Sequence, residues 1–134
     1  MERLIERVQI AERALKTFAE LTPINEPTQI ERDAMIQRFE YSFEAIWKAV
    51  KRYLYIIEGI EANSPKSTIR ASFDVMLLNE NQAKQAMVMA DDRNLTSHTY
   101  NEGLADELLT RMKEHEKILA LWLSEVKRRV EDVQ

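Results

Sequence analysis

Residues 93–100 read RNLTSHTY, an arginine, an amide, four hydroxyls and one of the two histidines in a chain otherwise rich in leucine, glutamate and lysine. Arg93 brings a permanent planar cation that can grip a phosphate through two hydrogen bonds. His98 brings an imidazole, a side chain that takes or gives a proton near neutral pH. Asn94, Thr96, Ser97, Thr99 and Tyr100 add neutral donors and acceptors. Metal-free phosphodiester cleavage needs such a kit: a base for the ribose 2′-hydroxyl and a cation facing the charge that builds on the phosphate.

Spacing constrains how these groups meet. In a continuous helix Asn94 and His98 share a face, while Arg93 points about 140° away from His98. Either the helix breaks between Arg93 and His98, or two chains of a two-fold dimer each supply half of a shared site. A plainer reading is a polar joint between helices, with Arg93, Asp91 and Asp92 in surface ion pairs of small individual worth.

Other constellations are thin. Di-iron bundles need Glu-x-x-His motifs, but Leu95 precedes His98 by three and Met112 precedes His115 by three. No metal site and no cofactor is therefore expected. The 2 glycines lie far apart and form no phosphate loop, and the serines lack nucleophile partners. His115 sits among charges in MKEHEK, yet helical geometry puts it on the apolar stripe between Leu108 and Leu119, as a core or seam histidine satisfied by one hydrogen bond. Tyr41 and Tyr55 lie on the side of their helix away from its stripe, either as isolated exposed aromatics or as half of a subunit interface, and Ile56, also outside the stripe, favours the interface.

The elements that carry these residues are helices. Leu4, Val8, Ala11, Leu15 and Phe18 form one stripe, ended by the prolines of LTPINEP. Thr28 and Glu31 match a capping box opening a second helix, with Phe39, Phe43, Ile46, Trp47, Val50, Leu54 and Ile57 on its stripe. Uninterrupted until Gly59, it runs about 30 residues and ~45 Å. Ser64 and Pro65 open a shorter third helix with Ile69, Phe73 and Met76 as its apolar face. Asn79 caps a fourth bearing Ala83, Ala86, Met87 and Ala90. A last helix from Asn101 carries Leu104, Leu108, Met112, Leu119, Trp122, Val126 and Val130. The expected fold is all-α, an antiparallel up-and-down four-helix bundle with one additional shorter helix, as a single domain over 1–134.

Composition agrees. Hydrophobic residues make 45% and charged residues 31% of the 134, with only 2 Gly and 3 Pro, which favours long helices. The net charge of -4 argues against a broadly basic nucleic-acid surface. The absence of cysteine removes disulfides and thiolate chemistry. No apolar run approaches the roughly 20 residues of a membrane span, and MERLIERVQI is too charged for a secretory signal, so a cytoplasmic protein is expected.

RNLTSHTY resembles the arginine, four residues, histidine, one residue, tyrosine motif of HEPN-domain proteins. FEYSFEAIWKAVKRYL in the long helix and SPKSTIRASF after its break resemble the same family, in the branch named nucleotidyltransferase substrate-binding proteins. The three blocks stand in the family's order and span residue 30 to the last helix. The resemblance implies a homodimeric bundle partnered with a separately encoded minimal nucleotidyltransferase, often as a toxin–antitoxin pair. It implies a metal-independent ribonuclease toxin acting on RNA, with Arg93 on the phosphate, His98 in proton transfer and Asn94 positioning them. Tyr100 would accept AMP from the transferase, silencing the site. The branch name implies a different role, a non-catalytic subunit that binds a substrate or nucleotide for the transferase.

Overall fold

Three reciprocal capping boxes open helices at the positions their sequences mark. In the computed structural model, which describes all 134 residues, Met1–Gln134, Thr28 Oγ1 accepts from the Glu31 amide at 3.2 Å while Glu31 Oε1 accepts from the Thr28 amide at 2.9 Å. Ser64 with Ser67 and Asn79 with Gln82 repeat the arrangement. Each pair satisfies amides that a helix start otherwise leaves without partners. The elements are α1 (Glu2–Ala19), α2 (Gln29–Tyr53), α3 (Pro65–Asp74), α4 (Glu80–Leu95), α5 (Glu102–Leu109) and α6 (Met112–Asp132), with no strand.

Cross-helix pairs give the topology. Phe18 of α1 meets Phe39 of α2 and Arg38 Nη1 donates to the Thr17 carbonyl, while Arg3 and Arg7 at the other end of α1 share a cleft with Lys51 and Arg52; the two helices run antiparallel. His115 stacks on Phe39, and Arg129 reaches Glu58 just beyond α2, so α6 runs parallel to α2. Arg93 and Thr96 at the end of α4 meet Glu44 and Glu40 of α2, in antiparallel order. The result is the up-and-down bundle, with α3 as the short additional helix and α2 central to it.

The core runs down the expected stripes. Leu4, Val8, Ala11 and Phe18 are buried in α1, and Phe39, Phe43, Ile46 and Val50 in α2. Trp122 is fully buried, and its Nε1–H donates to Ser72 Oγ at 3.0 Å. Ser72 passes its own proton to the Thr68 carbonyl at 2.7 Å, so the indole enters the apolar core with its polar atom satisfied.

Three expectations need correction. The last helix is two: α5 stops at Leu109 and α6 begins at Met112, although neither glycine nor proline marks the joint. Thr110 Oγ1 donates to the Glu107 carbonyl at 2.6 Å, and Arg111, at φ -104 and ψ -2, turns out of the helix toward Asp92. Phe73 and Met76 do not face the core; they are 41% and 68% exposed. Helix α3 ends at Asp74, and Met76 adopts φ 64, a left-handed conformation strained for a residue with a side chain. Arg129 holds this turn by donating to the carbonyls of Val75 and Met76 at 2.9 and 3.0 Å, and Leu77 and Leu78 enter the core in their place. Finally, α2 closes in a π-helical turn, Leu54–Glu58. The wider turn shifts the helical phase, so Ile56 as well as Ile57 packs half-buried against the core.

Candidate functional site

The helix does break inside the motif. Helix α4 ends at Leu95, a single 3₁₀ turn covers Thr96–His98, and Asn101 then caps α5, accepting from the Leu104 amide at 3.1 Å. Thr96 makes the break local and specific. Its hydroxyl lies 2.7 Å from the Arg93 carbonyl and 3.2 Å from Glu40 Oε2, and accepts from Arg93 Nη1 at 3.0 Å. The shorter contact takes the single hydroxyl proton, ending the helix on a side chain.

Arg93 is half-buried and already engaged. Its Nη1 lies 3.3 Å from Glu40 Oε2 and its Nε 3.4 Å from Glu44 Oε1. The Nε contact lacks hydrogen-bond geometry, so charge attraction rather than a directed bond holds that edge. Glu44 also accepts from Trp47 Nε1 at 3.2 Å. Two carboxylates therefore face one guanidinium. Arg93 and Asn94 line a hollow of about 340 Å³ together with Lys66, Ser64 and Glu44.

His98 and Tyr100 lie outside the walls of that hollow. His98 is exposed, its ring in edge-on contact with Tyr100 at a 6.0 Å centroid distance, and neither ring is fixed by a hydrogen bond. Tyr100 is 84% exposed. A single chain thus brings Arg93 and Asn94 together, and His98 and Tyr100 together, as two separate pairs. No three His, Asp or Glu side chains converge as a metal ligand set.

Behind the motif stands a buried ionic knot absent from the surface-pair reading. Asp91 does pair at the surface, with Lys66 at 2.6 Å. Asp92, one residue on, is buried and accepts from Arg111 Nε at 2.7 Å, Arg111 Nη2 at 2.9 Å and His115 Nε2 at 2.6 Å. Burial works to raise the Asp92 carboxyl, but the hydrogen bonds from Arg111 and His115 outweigh it and hold the group below its ordinary value. Burial likewise pushes His115 down, more than Asp92 pulls it up. The consistent state is an ionised Asp92, a charged Arg111 and a neutral His115 that donates from Nε2. His115 is the core histidine its place on the stripe predicts, and the knot fixes the last turn of α4 immediately before Arg93.

Glu40, Glu44 and Arg111 are partners that the sequence did not single out, and Asp92, expected in a surface pair, is buried instead. Glu40 and Glu44 did carry a signal: they stand four apart in FEYSFEAIWKAVKRYL, hence on one face of α2 beside its stripe. Arg111 stands four before His115, but its partner Asp92 lies on another helix.

The family model described as nucleotidyltransferase substrate binding protein like matches residues 4–128. The chain belongs to that family. A crystal structure of a protein from Thermus thermophilus superposes with a TM-score of 0.85 at 46% identity, covering 87% of this chain and 98% of that one. No functionally curated protein matches the chain significantly. No helix is long and apolar enough to cross a membrane.

Proposed function

We propose that this chain is the non-catalytic substrate- or nucleotide-binding subunit of a two-component nucleotidyltransferase, acting as a homodimer beside a separately encoded minimal transferase. The observation that carries the reading is the state of Arg93. Its charge is countered by Glu40 and Glu44 at 3.3 and 3.4 Å, which suits a group that orients a bound partner better than one that must meet charge developing on a phosphate. The family match over residues 4–128 supports the same reading.

The HEPN-type ribonuclease toxin is the second reading, favoured by one observation: His98 is exposed and free of any carboxylate, as an acid–base group awaiting substrate would be. In that reading a second protomer sets its His98 beside Arg93 and Asn94, with RNA between them. Tyr100, 84% exposed, would take AMP on its phenolic oxygen from the transferase, with pyrophosphate leaving.

Incubation of the purified chain with small RNAs in EDTA tests the choice. The binding-subunit reading expects intact RNA from wild type and His98→Ala alike. Trimming by wild type that vanishes in His98→Ala, with folding retained, overturns it in favour of the ribonuclease. Addition of one AMP mass in the presence of transferase, ATP and Mg²⁺, lost in Tyr100→Phe, would establish the modification.

A further inference from the structure

Many cations of this acidic chain are held in pairs: Arg32 with Asp106, Lys66 with Asp91, Arg93 with Glu40 and Glu44, Arg111 with Asp92, and Lys127 with Glu12. Four cations without such a partner gather in one place. A cleft of about 520 Å³ opens between the first turns of α1, the C-terminal half of α2 and the loop 59–64. Arg3 and Arg7 line it from α1, and Lys48, Lys51 and Arg52 from α2. Glu61 is its single acid.

Of the five cations only Lys48 has a carboxylate partner, Glu44 at a long 3.8 Å. Arg52 Nε is buried with no hydrogen-bond partner at all. A buried guanidinium nitrogen left unsatisfied is disfavoured, and like charges gathered in one concavity repel; both are relieved by an anion. Helical spacing makes the gathering. Residues 48, 51, 52 and 55 fall on one face of α2, and 3 and 7 on one face of α1. Gly59, at φ 70, then turns the chain so that Ala62 and Asn63 close the rim.

Two aromatic residues complete the wall. Trp47 is half-buried, with Lys51 Nζ 5.9 Å from its ring centroid, and Tyr55 is 56% exposed. Unpartnered cations beside aromatic faces fit a ligand with phosphates at one end and a flat ring at the other. The cleft volume falls in the usual range for small-molecule sites, about 300–1,000 Å³.

We propose that this cleft binds a nucleoside diphosphate or triphosphate, the phosphates on Arg3, Arg7, Lys51 and Arg52 and the base against Trp47 and Tyr55. The proposal rests on the binding-subunit reading only for choosing a nucleotide among aromatic anions; the cleft itself is separate from Asn94, His98 and Tyr100. Glu44 touches both regions, contacting Arg93 through one oxygen and Trp47 through the other.

Titration of ADP into the full chain alone, without transferase, tests it. Trp47 is one of 2 tryptophans and the other, Trp122, is fully buried, so fluorescence quenching reports on the cleft. Saturable quenching is expected, with pyrophosphate binding at least threefold more weakly than ADP. Arg7→Glu with Lys51→Glu should weaken ADP at least tenfold, whereas Lys84→Glu with Lys117→Glu, an equal change of net charge elsewhere, should not. Circular dichroism verifies folding, and Arg7→Glu alone, on an exposed position, serves if the pair does not fold. No saturation in wild type, equal affinity for pyrophosphate, or equal loss in the control pair overturns the proposal. Complex formation with a transferase is a separate measurement, so failure here and failure of the subunit reading are distinguishable.

Discussion

Replacing Asp92 by alanine should be far more damaging than the same change at its neighbour Asp91. Asp92 is buried and holds three hydrogen bonds, two from Arg111 and one from His115. Truncation leaves the His115 ring, 4% exposed, without its partner, which costs about 1–3 kcal/mol for an unsatisfied buried donor. Arg111 is about a third exposed, so water recovers part of its loss, and its share is roughly 1 kcal/mol rather than the full value of a buried pair. The sum is about 3 kcal/mol, or roughly 10 °C in Tm for a chain of this size. Asp91 pairs with Lys66 where both side chains are substantially exposed, and Asp91→Ala should cost less than about 1 kcal/mol. Urea unfolding followed by circular dichroism measures both. Equal midpoints for the two variants would refute the assignment of Asp92 as the anchor of α4.

Further outcomes follow from the same chemistry. Burial holds His115 below the ordinary histidine value of 6.5, so the unfolded chain binds the proton more tightly; stability is full above that pH and falls as the pH drops below it. His115→Gln, which keeps an N–H donor for Asp92, should flatten the decline below about pH 6.5 in pH-resolved urea melts; an unchanged slope would rule out this histidine as the source. Ser42 Oγ is buried on α2 with no partner, so Ser42→Ala should raise stability by about 0.5–1 kcal/mol, and a loss of similar size would mean that the hydroxyl is satisfied.

Helix starts were legible because capping is local: Thr28, Ser64 and Asn79 each find their partner three residues on. The stripes were legible because burial follows a 3.6-residue period, as Phe39, Phe43, Ile46 and Val50 do. What escaped the sequence depends on contacts between helices. The split at Thr110 and Arg111 has no breaker residue and is drawn by Asp92, 19 positions upstream. The outward turn of Met76 is held by Arg129, 53 positions away. At the candidate site the motif residues could be named, but not the carboxylates that engage Arg93, since Glu40 and Glu44 look like any solvated acid until α2 and α4 are set side by side. The cleft escaped for the same reason: Arg3 and Lys51 meet only when α1 folds back on α2.

The central claim, a subunit that works beside a transferase, is tested most directly by light scattering on a size-exclusion column. The chain would be run alone and together with a minimal nucleotidyltransferase from the same genome. The expected result is a dimer for the chain alone and a heavier species containing both proteins in the mixture. Independent elution of the two at concentrations well above micromolar would contradict it.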